Sequence, residues 1–513
     1  MMNNHRAEIL LVTPPYHSGV VESAGSWLPL SLLYVGGALQ TAGFGVALYD
    51  AMTKFHTHEQ VRETLRREQP SVVMVTAITA TVLDAIDVCR MAKEEIPGVL
   101  TVLGGTHPNF MFDEILRNSP EVDVIVCGEG EETAVELMRA WTAKDDLAKV
   151  RGIAFRQNGG VVATPRRGFI RNLDLIEPAW NLVPWKEYTY RPKPGSTLAI
   201  VSSSRGCKQH CSFCSQRLFW KESWRANTAE KFVDQLQMLR ETYGVNVAMI
   251  SDEIPTLHQP RWIKILDLLI ERDFGTTLLL ETRVDDIVRD ETLMPRYRQA
   301  GIEHIYVGVE SVNQATLDLY KKDAKVDQGK RAIELIHEHN MISETSFVMG
   351  MPNETKEEMQ RTIELSKYYD PDMAFFLAIT PWPYADLYKD VKAHVTTRDY
   401  RKYNLIEPVI KPVHMTIDEV RAELFRGFRD FYIHKMNNYH AMPKWKQEFM
   451  TSLMKLLMAH SYLKEQMAGI ELPAGMTDAA EVFNLESKCP VQRVKNFIKR
   501  KLKLNSRTIE VAT

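Results

Sequence analysis

Residues 198–216 read LAIVSSSRGCKQHCSFCSQ, a short apolar strand running into three cysteines, Cys207, Cys211 and Cys214. Thiolates spaced C-x3-C-x2-C can hold three corners of a cube-shaped iron–sulfur cluster, whereas the usual all-cysteine cluster takes four. The missing fourth ligand leaves one iron open to bind and activate a small molecule. A zinc site is the alternative. Zinc takes four ligands, typically from paired short knuckles, and His210 would complete a Cys3His set. No second knuckle follows, and Cys89, Cys127 and Cys489 are scattered. A lone run with Phe213 before its last cysteine favours the cluster.

Working outward, the same strand opens an alternation of strands and helices that extends to about residue 390. VAMISDE, LLLETRV, HIYVGVES, ETSFVMG and MAFFLAIT read as strands, with helices such as TAEKFVDQLQMLRETY and KRAIELIHEHN between them. This is a β/α barrel or partial barrel, with its active face at the strand C-termini. The cysteine loop follows the first strand, where such a fold places chemistry. An earlier series (EILLVTPP, FGVALYDA, SVVMVTAIT, GVLTVLGG, VDVIVCGEG) alternates with helical segments in residues 8–145. It predicts a doubly wound α/β domain with a parallel sheet, binding ligands beyond the strand carboxyl ends. Residues 146–198 read as a linker with a hairpin, GIAFRQNGGVVATP, and the barrel spans 199–395. Residues 396–513 read as a helical extension, TIDEVRAELFRGFRDFYIHKM and PKWKQEFMTSLMKLLMAHSYLKEQM, ending in a basic tail.

The bulk properties exclude several classes. The 513 residues are 45% hydrophobic and 25% charged with net charge −3, so nothing points to nucleic acid. Six cysteines make no disulfide framework. Clustered thiolates need a reducing compartment, which places the protein in the cytoplasm. The N-terminal apolar run is too short for a signal peptide, and no run suits a membrane span. The tail KCPVQRVKNFIKRKLKLNSR is either a solvated helix with one packed face or a weak contact with an anionic membrane surface.

The cysteine run and the residues at successive strand ends resemble the radical S-adenosylmethionine (SAM) enzymes. The resemblance implies a [4Fe–4S] cluster on Cys207, Cys211 and Cys214, with SAM chelating the open iron. It implies SAM contacts from Asp252 and Glu253 in the SDE segment, from Glu281 and Arg283, and from Glu310 in GVES. Gly350 and Thr355 of GMPNET would approach the adenosine, although Thr355 also suits a helix N-cap. The first domain is similar to the cobalamin-binding domain that precedes one large class of these barrels. That implies corrin contacts from Thr76, Gly104, Gly105, Gly128, Glu129 and Gly130. The D-x-H-x-x-G motif that gives cobalt a histidine is absent. The loop DAMTKFHTH carries His56 and His58 at the wrong spacing, so bound cobalamin lacks that ligand.

YHSGVVESAGSWLPL, TAITAT, CSFCSQRLFW, TPWPYADLY and KYNLIEPVIKP resemble the anaerobic magnesium-protoporphyrin IX monomethyl ester cyclase family over residues 8 to about 435. This implies a tetrapyrrole substrate, a low-potential electron donor, closure of the fifth chlorophyll ring and a ketone oxygen from water. Pro15 stands where the family has asparagine, and the tail matches poorly, leaving open a related reaction on a related tetrapyrrole. Trp27, Phe219, Trp220, Trp382 and Tyr384 are candidates to stack on a flat macrocycle, or plain core packing. His17, His107 and His414 are candidate contacts to magnesium or a propionate. The rival reading is a cobalamin-dependent radical SAM methyltransferase. A non-catalytic iron–sulfur or zinc scaffold would have no need of the SAM-side motifs.

Overall fold

The computed structural model describes residues 8–16 and 25–460. Its first sheet has strands β1 (Ile9–Thr13), β2 (Val46–Asp50), β3 (Val72–Thr76), β4 (Leu100–Gly104), β5 (Val124–Val126), β6 (Ile153–Gln157) and β7 (Gly160–Ala163). Their order is β2-β1-β3-β4-β5-β6-β7. The first five run parallel, and β6 and β7 add antiparallel. Strand residues alternate between two hydrophobic layers: Leu10 and Val12 pack with the helices His58–Glu68 and Val82–Glu95, whereas Ile9 and Leu11 pack toward Leu30–Thr41 and Glu131–Ala143. Burial on both faces explains why these strands read as unbroken apolar runs. Cys89 and Cys127 are buried in this packing.

The second sheet comprises β8 (Leu198–Val201), β11 (Val247–Ile250), β12 (Thr277–Arg283), β13 (Ile302–Glu310), β14 (Ile342–Met349) and β15 (Met373–Ala378). All six are parallel in the order β15-β14-β13-β12-β11-β8. Between β8 and β11, the short strands β9 (Ser204–Arg205) and β10 (Arg225–Ala226) pair with each other. The six-stranded sheet is an open, partial barrel. Its helices cover the outside, among them Ala229–Tyr243, capped by Thr228 and ended by left-handed Gly244. Along the strands, partly buried Glu281, Tyr306, Glu344 and Phe375 alternate with fully buried neighbours. This period-2 pattern marks the lumen side.

Two boundaries differ from the sequence reading. The 153–163 hairpin belongs to the first sheet: β6 pairs with β5 and closes that sheet's edge. The 400–409 segment, grouped by sequence with the helical extension, packs back on the first domain. Tyr400, Tyr403 and Val409 join that domain's core, and Arg401 bridges Asp84 at 3.0 Å and Asp87 at 2.7 Å. Helix Ile417–Asn437, opened by a Thr416 capping box, then packs against the barrel, with Phe428 and Phe431 meeting Phe376. No described helix is long and apolar enough to cross a membrane. The basic tail, Cys489, His17 and most of the YHSGVVESAG loop lie outside the described residues.

Candidate active site

The cysteine loop is pinned from both sides. Asp252, at the end of β11, accepts from the Ser203 amide and from the Ser203 and Ser204 hydroxyls, each at 2.6 Å. Glu253 accepts from the Gly206 amide at 3.0 Å and from the Trp220 indole at 2.6 Å. Between Cys211 and Cys214, the Ser212 amide donates to the Tyr320 carbonyl at 2.8 Å, and Phe213 meets the Tyr320 ring edge-on. Two consecutive carboxylates thus fix the loop's entry, and Tyr320 holds the turn between its last two cysteines.

The three thiols are half-buried, and burial raises their pKa, that of Cys214 to about 12. Lys322 and Arg283 oppose this at Cys211. Thiols held this way ionise on metal binding, and the two cations offset the charge that results. Among the described residues, the set of three His, Cys, Asp or Glu ligand atoms within 4.8 Å of one another is His58, Asp84 and Asp87, not the cysteines. The Asp84 and Asp87 carboxylates of that set are already paired with Arg401 and Arg90.

The other barrel-side candidates divide by what already holds them. Glu310 sits at φ +62, a conformation costly for a residue with a side chain. Lys322 at 2.8 Å and Ser346 at 3.2 Å fix its carboxylate. Glu281 faces the lumen in register with Tyr306 and Glu344. Burial, then Glu344 and Glu253, pushes its carboxyl up to about 7. Arg283 is forked on Asp285 at 2.8 and 3.1 Å and leans toward Cys211. The remaining three are otherwise engaged. Asp252 is saturated by the loop serines. The Gly350 amide donates to Glu354 at 2.5 Å. Thr355 caps helix Lys356–Tyr369, accepting from the Glu358 amide at 3.3 Å, and lines neither cavity.

The first domain faces this loop across a cavity of about 370 Å³. Thr76, Gly104, Gly105, Gly128, Glu129 and Gly130 line one side, and Ser204, Arg205, Trp220 and Glu253 line the other. Beside the Thr76 side chain, the glycines leave part of this lining as bare backbone. A Cβ on Gly128 would meet nothing within 4 Å, and one on Gly104 only the Val126 Cβ at 4.0 Å. Such a floor suits a broad ring lying flat on backbone. Gly105 has a different role: at φ +102, its Cβ would strike the Ala77 carbonyl at 2.3 Å, so the turn requires glycine. Asp50, which opens the DAMTKFHTH loop, is held by Thr13 at 2.5 Å and Tyr188 at 2.7 Å. His56 pairs with Tyr49 at 2.6 Å and His58 with Asp84 at 3.0 Å. Both histidines are therefore turned to protein partners.

Glu129 is not a free corrin contact. It is buried under Arg205 at 2.8 Å and Arg225 at 3.1 Å, and accepts from the Ile170 amide at 2.7 Å. Arg205 also reaches Glu131 at 2.7 Å and lies 4.5 Å over the Tyr34 ring. This ion network joins the corrin-side loop to the strand leading into the cysteines.

Residues 16–138 match the model of the B12 binding domain, and residues 201–366 that of the radical SAM superfamily. The anaerobic magnesium-protoporphyrin IX monomethyl ester cyclase of Rubrivivax gelatinosus is 38% identical over 86% of this chain and 80% of its own length. The chain belongs to that cyclase family. It is a radical SAM enzyme whose cofactor set is a [4Fe–4S] cluster, SAM and cobalamin. The family borders on methyltransferases: an uncharacterised methyltransferase of Pyrococcus horikoshii is 30% identical over 83% of this chain and 92% of its own. The fold matches the cobalamin-dependent SAM radical enzyme OxsB, solved with aqua-cobalamin and SAM, at TM-score 0.65, 16% identity, 97% of this chain and 75% of that one.

Within this cyclase-family site, sequence reasoning missed Arg205, Tyr34, Glu131 and Phe110. Arg205 lies within the cysteine stretch of residues 198–216; Tyr34, Glu131 and Phe110 carry no local signal. Of the histidines, His107 is buried, meets Thr79 at 3.1 Å, and is lowered to about 4 by burial. It packs between Tyr384 and Tyr400. His414 is exposed. Trp27 packs on the barrel core and Trp382 on the first domain's core.

Proposed function

We propose that this chain is the oxidative cyclase that forms the isocyclic ring of chlorophylls from magnesium-protoporphyrin IX monomethyl ester, with water supplying the ketone oxygen. The observation that carries this reading is the 38% identity to a named cyclase across most of both chains. When bound, the cluster and SAM supply a 5′-deoxyadenosyl radical, a species able to take hydrogen from an unactivated carbon. We assign the cluster to Cys207, Cys211 and Cys214. Glu253, Glu281, Arg283 and Glu310 are the SAM-side groups, and the glycine floor at Gly104, Gly105, Gly128 and Gly130 takes the corrin.

The chain's own residues then do three things. Cys207, Cys211 and Cys214 would leave one coordination position open, since His210, the loop's other ligand candidate, is exposed and faces Glu222 at 3.5 Å. Lys322 and Arg283 balance the negative cluster from within the barrel. Arg205 and Glu129 hold the two domains together beside the cavity that both line. A low-potential electron donor and a reducing, cytoplasmic setting complete the reading.

The methyltransferase relative supports a second reading, transfer of a methyl group to a tetrapyrrole or other unactivated carbon. Incubation of the reconstituted protein with magnesium-protoporphyrin monomethyl ester in heavy-oxygen water separates the two. Cyclase activity yields a new ring ketone carrying the label. A product heavier by one SAM-derived methyl group, without the ketone, would replace the first reading by the second.

A further inference from the structure

Four aromatic rings from three separate elements meet at the edge of the cavity. Phe219 and Trp220, on helix Gln216–Trp220 after the cysteines, stand edge to face with centroids 4.7 Å apart. Phe219 in turn meets Phe110 of helix Thr106–Asn118 at 6.4 Å, edge-on. Phe110 stacks on Tyr384, from the turn after β15, at 4.6 Å and 20° between planes. The row starts at the cavity, which Phe219 and Trp220 line, and runs outward across the domain boundary.

Core packing does not account for these rings. All four are only partly buried. None belongs to the hydrophobic clusters of either domain, unlike Trp27 and Trp382, which do. Aromatic surface left in contact with water at an enclosed edge is unfavourable until something apolar covers it. The orientation is also fixed by polar contacts. The Tyr384 hydroxyl meets Thr79 at 3.0 Å, and Thr79 meets the buried His107 at 3.1 Å. A pre-set row of ring faces and edges suits a flat, polarisable ligand better than a flexible aliphatic one.

We propose that Phe110, Phe219, Trp220 and Tyr384 form the binding wall for the planar macrocycle of the substrate. This rests on the cyclase reading for the identity of that macrocycle. The wall lies beside the corrin floor, so the macrocycle would enter along the domain boundary with one edge reaching the cluster side.

The test is an equilibrium titration of the reconstituted holoenzyme with magnesium-protoporphyrin monomethyl ester, followed by the shift of the porphyrin's main absorption band. Wild type is expected to bind saturably. Phe110→Ala and Phe219→Ala should each weaken binding about tenfold, the scale of losing one stacked ring. Iron content, cobalamin content and substrate-free SAM cleavage should stay unchanged in Phe110→Ala, whose ring does not line the corrin cavity. Phe110→Leu and Phe219→Leu keep the apolar volume and remove the ring, and serve where the alanine variants do not fold. Wild type and both ring-deleted variants binding equally would overturn the wall and leave the cyclase reading standing. No binding to wild type would instead overturn the tetrapyrrole reading, and the wall with it.

Discussion

At its strand ends the first sheet carries glycines, and the second carries carboxylates and an arginine. Gly104 and Gly128 leave open space above backbone, whereas Glu253, Glu281, Arg283 and Glu310 crowd charge around the cysteine loop. Both sheets bind beyond the carboxyl ends of parallel strands, yet they present opposite chemistry to one cleft. A bare floor admits a broad, weakly charged ring. A charged lumen suits a small ligand with amino, carboxylate and ribose groups beside a metal cluster. The two are held in register by buried charge, Arg205 against Glu129 and Glu131, so the cleft is a joint property of both domains.

The comparison breaks most completely at the cluster. Cys211→Ala is expected to reduce SAM cleavage to background and to strip most of the iron. Quantifying 5′-deoxyadenosine and iron in the reconstituted variant checks this, and turnover equal to wild type would refute the ligand assignment. The clamp comes next. Arg205→Ala leaves Glu129 and Glu131 buried with less countercharge, a loss of about 3–5 kcal/mol. The expected readouts are an earlier first transition in urea and faster amide exchange in residues 128–131.

The charged lumen is sharpened by pH. Glu281 holds its proton to about pH 7 when folded, against an ordinary value of 4.5. The unfolded chain releases that proton first, so the folded state loses stability as pH rises from 4.5 to 7. The total is on the order of 3 kcal/mol. Glu281→Gln should therefore match wild type near pH 4 and be more stable by about that amount at pH 8, measured by denaturant melts of the cofactor-free protein. The smallest effect is at the bare floor. Gly104→Ala should fold normally but intrude on the cavity and weaken cobalamin retention on desalting by roughly tenfold, the low end of overpacking penalties. Full retention would show that the corrin does not lie on this floor.

The first αβ series was legible because strands buried on two faces read as apolar runs, and the second because short apolar strands alternate with helix periodicity. The cysteine loop was legible because its ligands are local. The hairpin's attachment to β5 was not, since a strand's partner is not encoded in its own alternation. Asp252 and Glu253 show the limit at the site. Adjacent in sequence, they differ in that one is saturated by Ser203 and Ser204 while the other lines the cavity. Thr355 resolved toward the cap that its spacing to Glu358 already suggested. Arg205 and Glu129, 76 residues apart, met only through the packing of two domains, which no local pattern announces.

The most direct test of the account follows a hydrogen atom. With substrate deuterated on the methyl-propionate side chain, the account predicts deuterium in the 5′-deoxyadenosine recovered, together with a ring-closed product. Unlabelled 5′-deoxyadenosine beside a product that has gained the methyl group of SAM would contradict it.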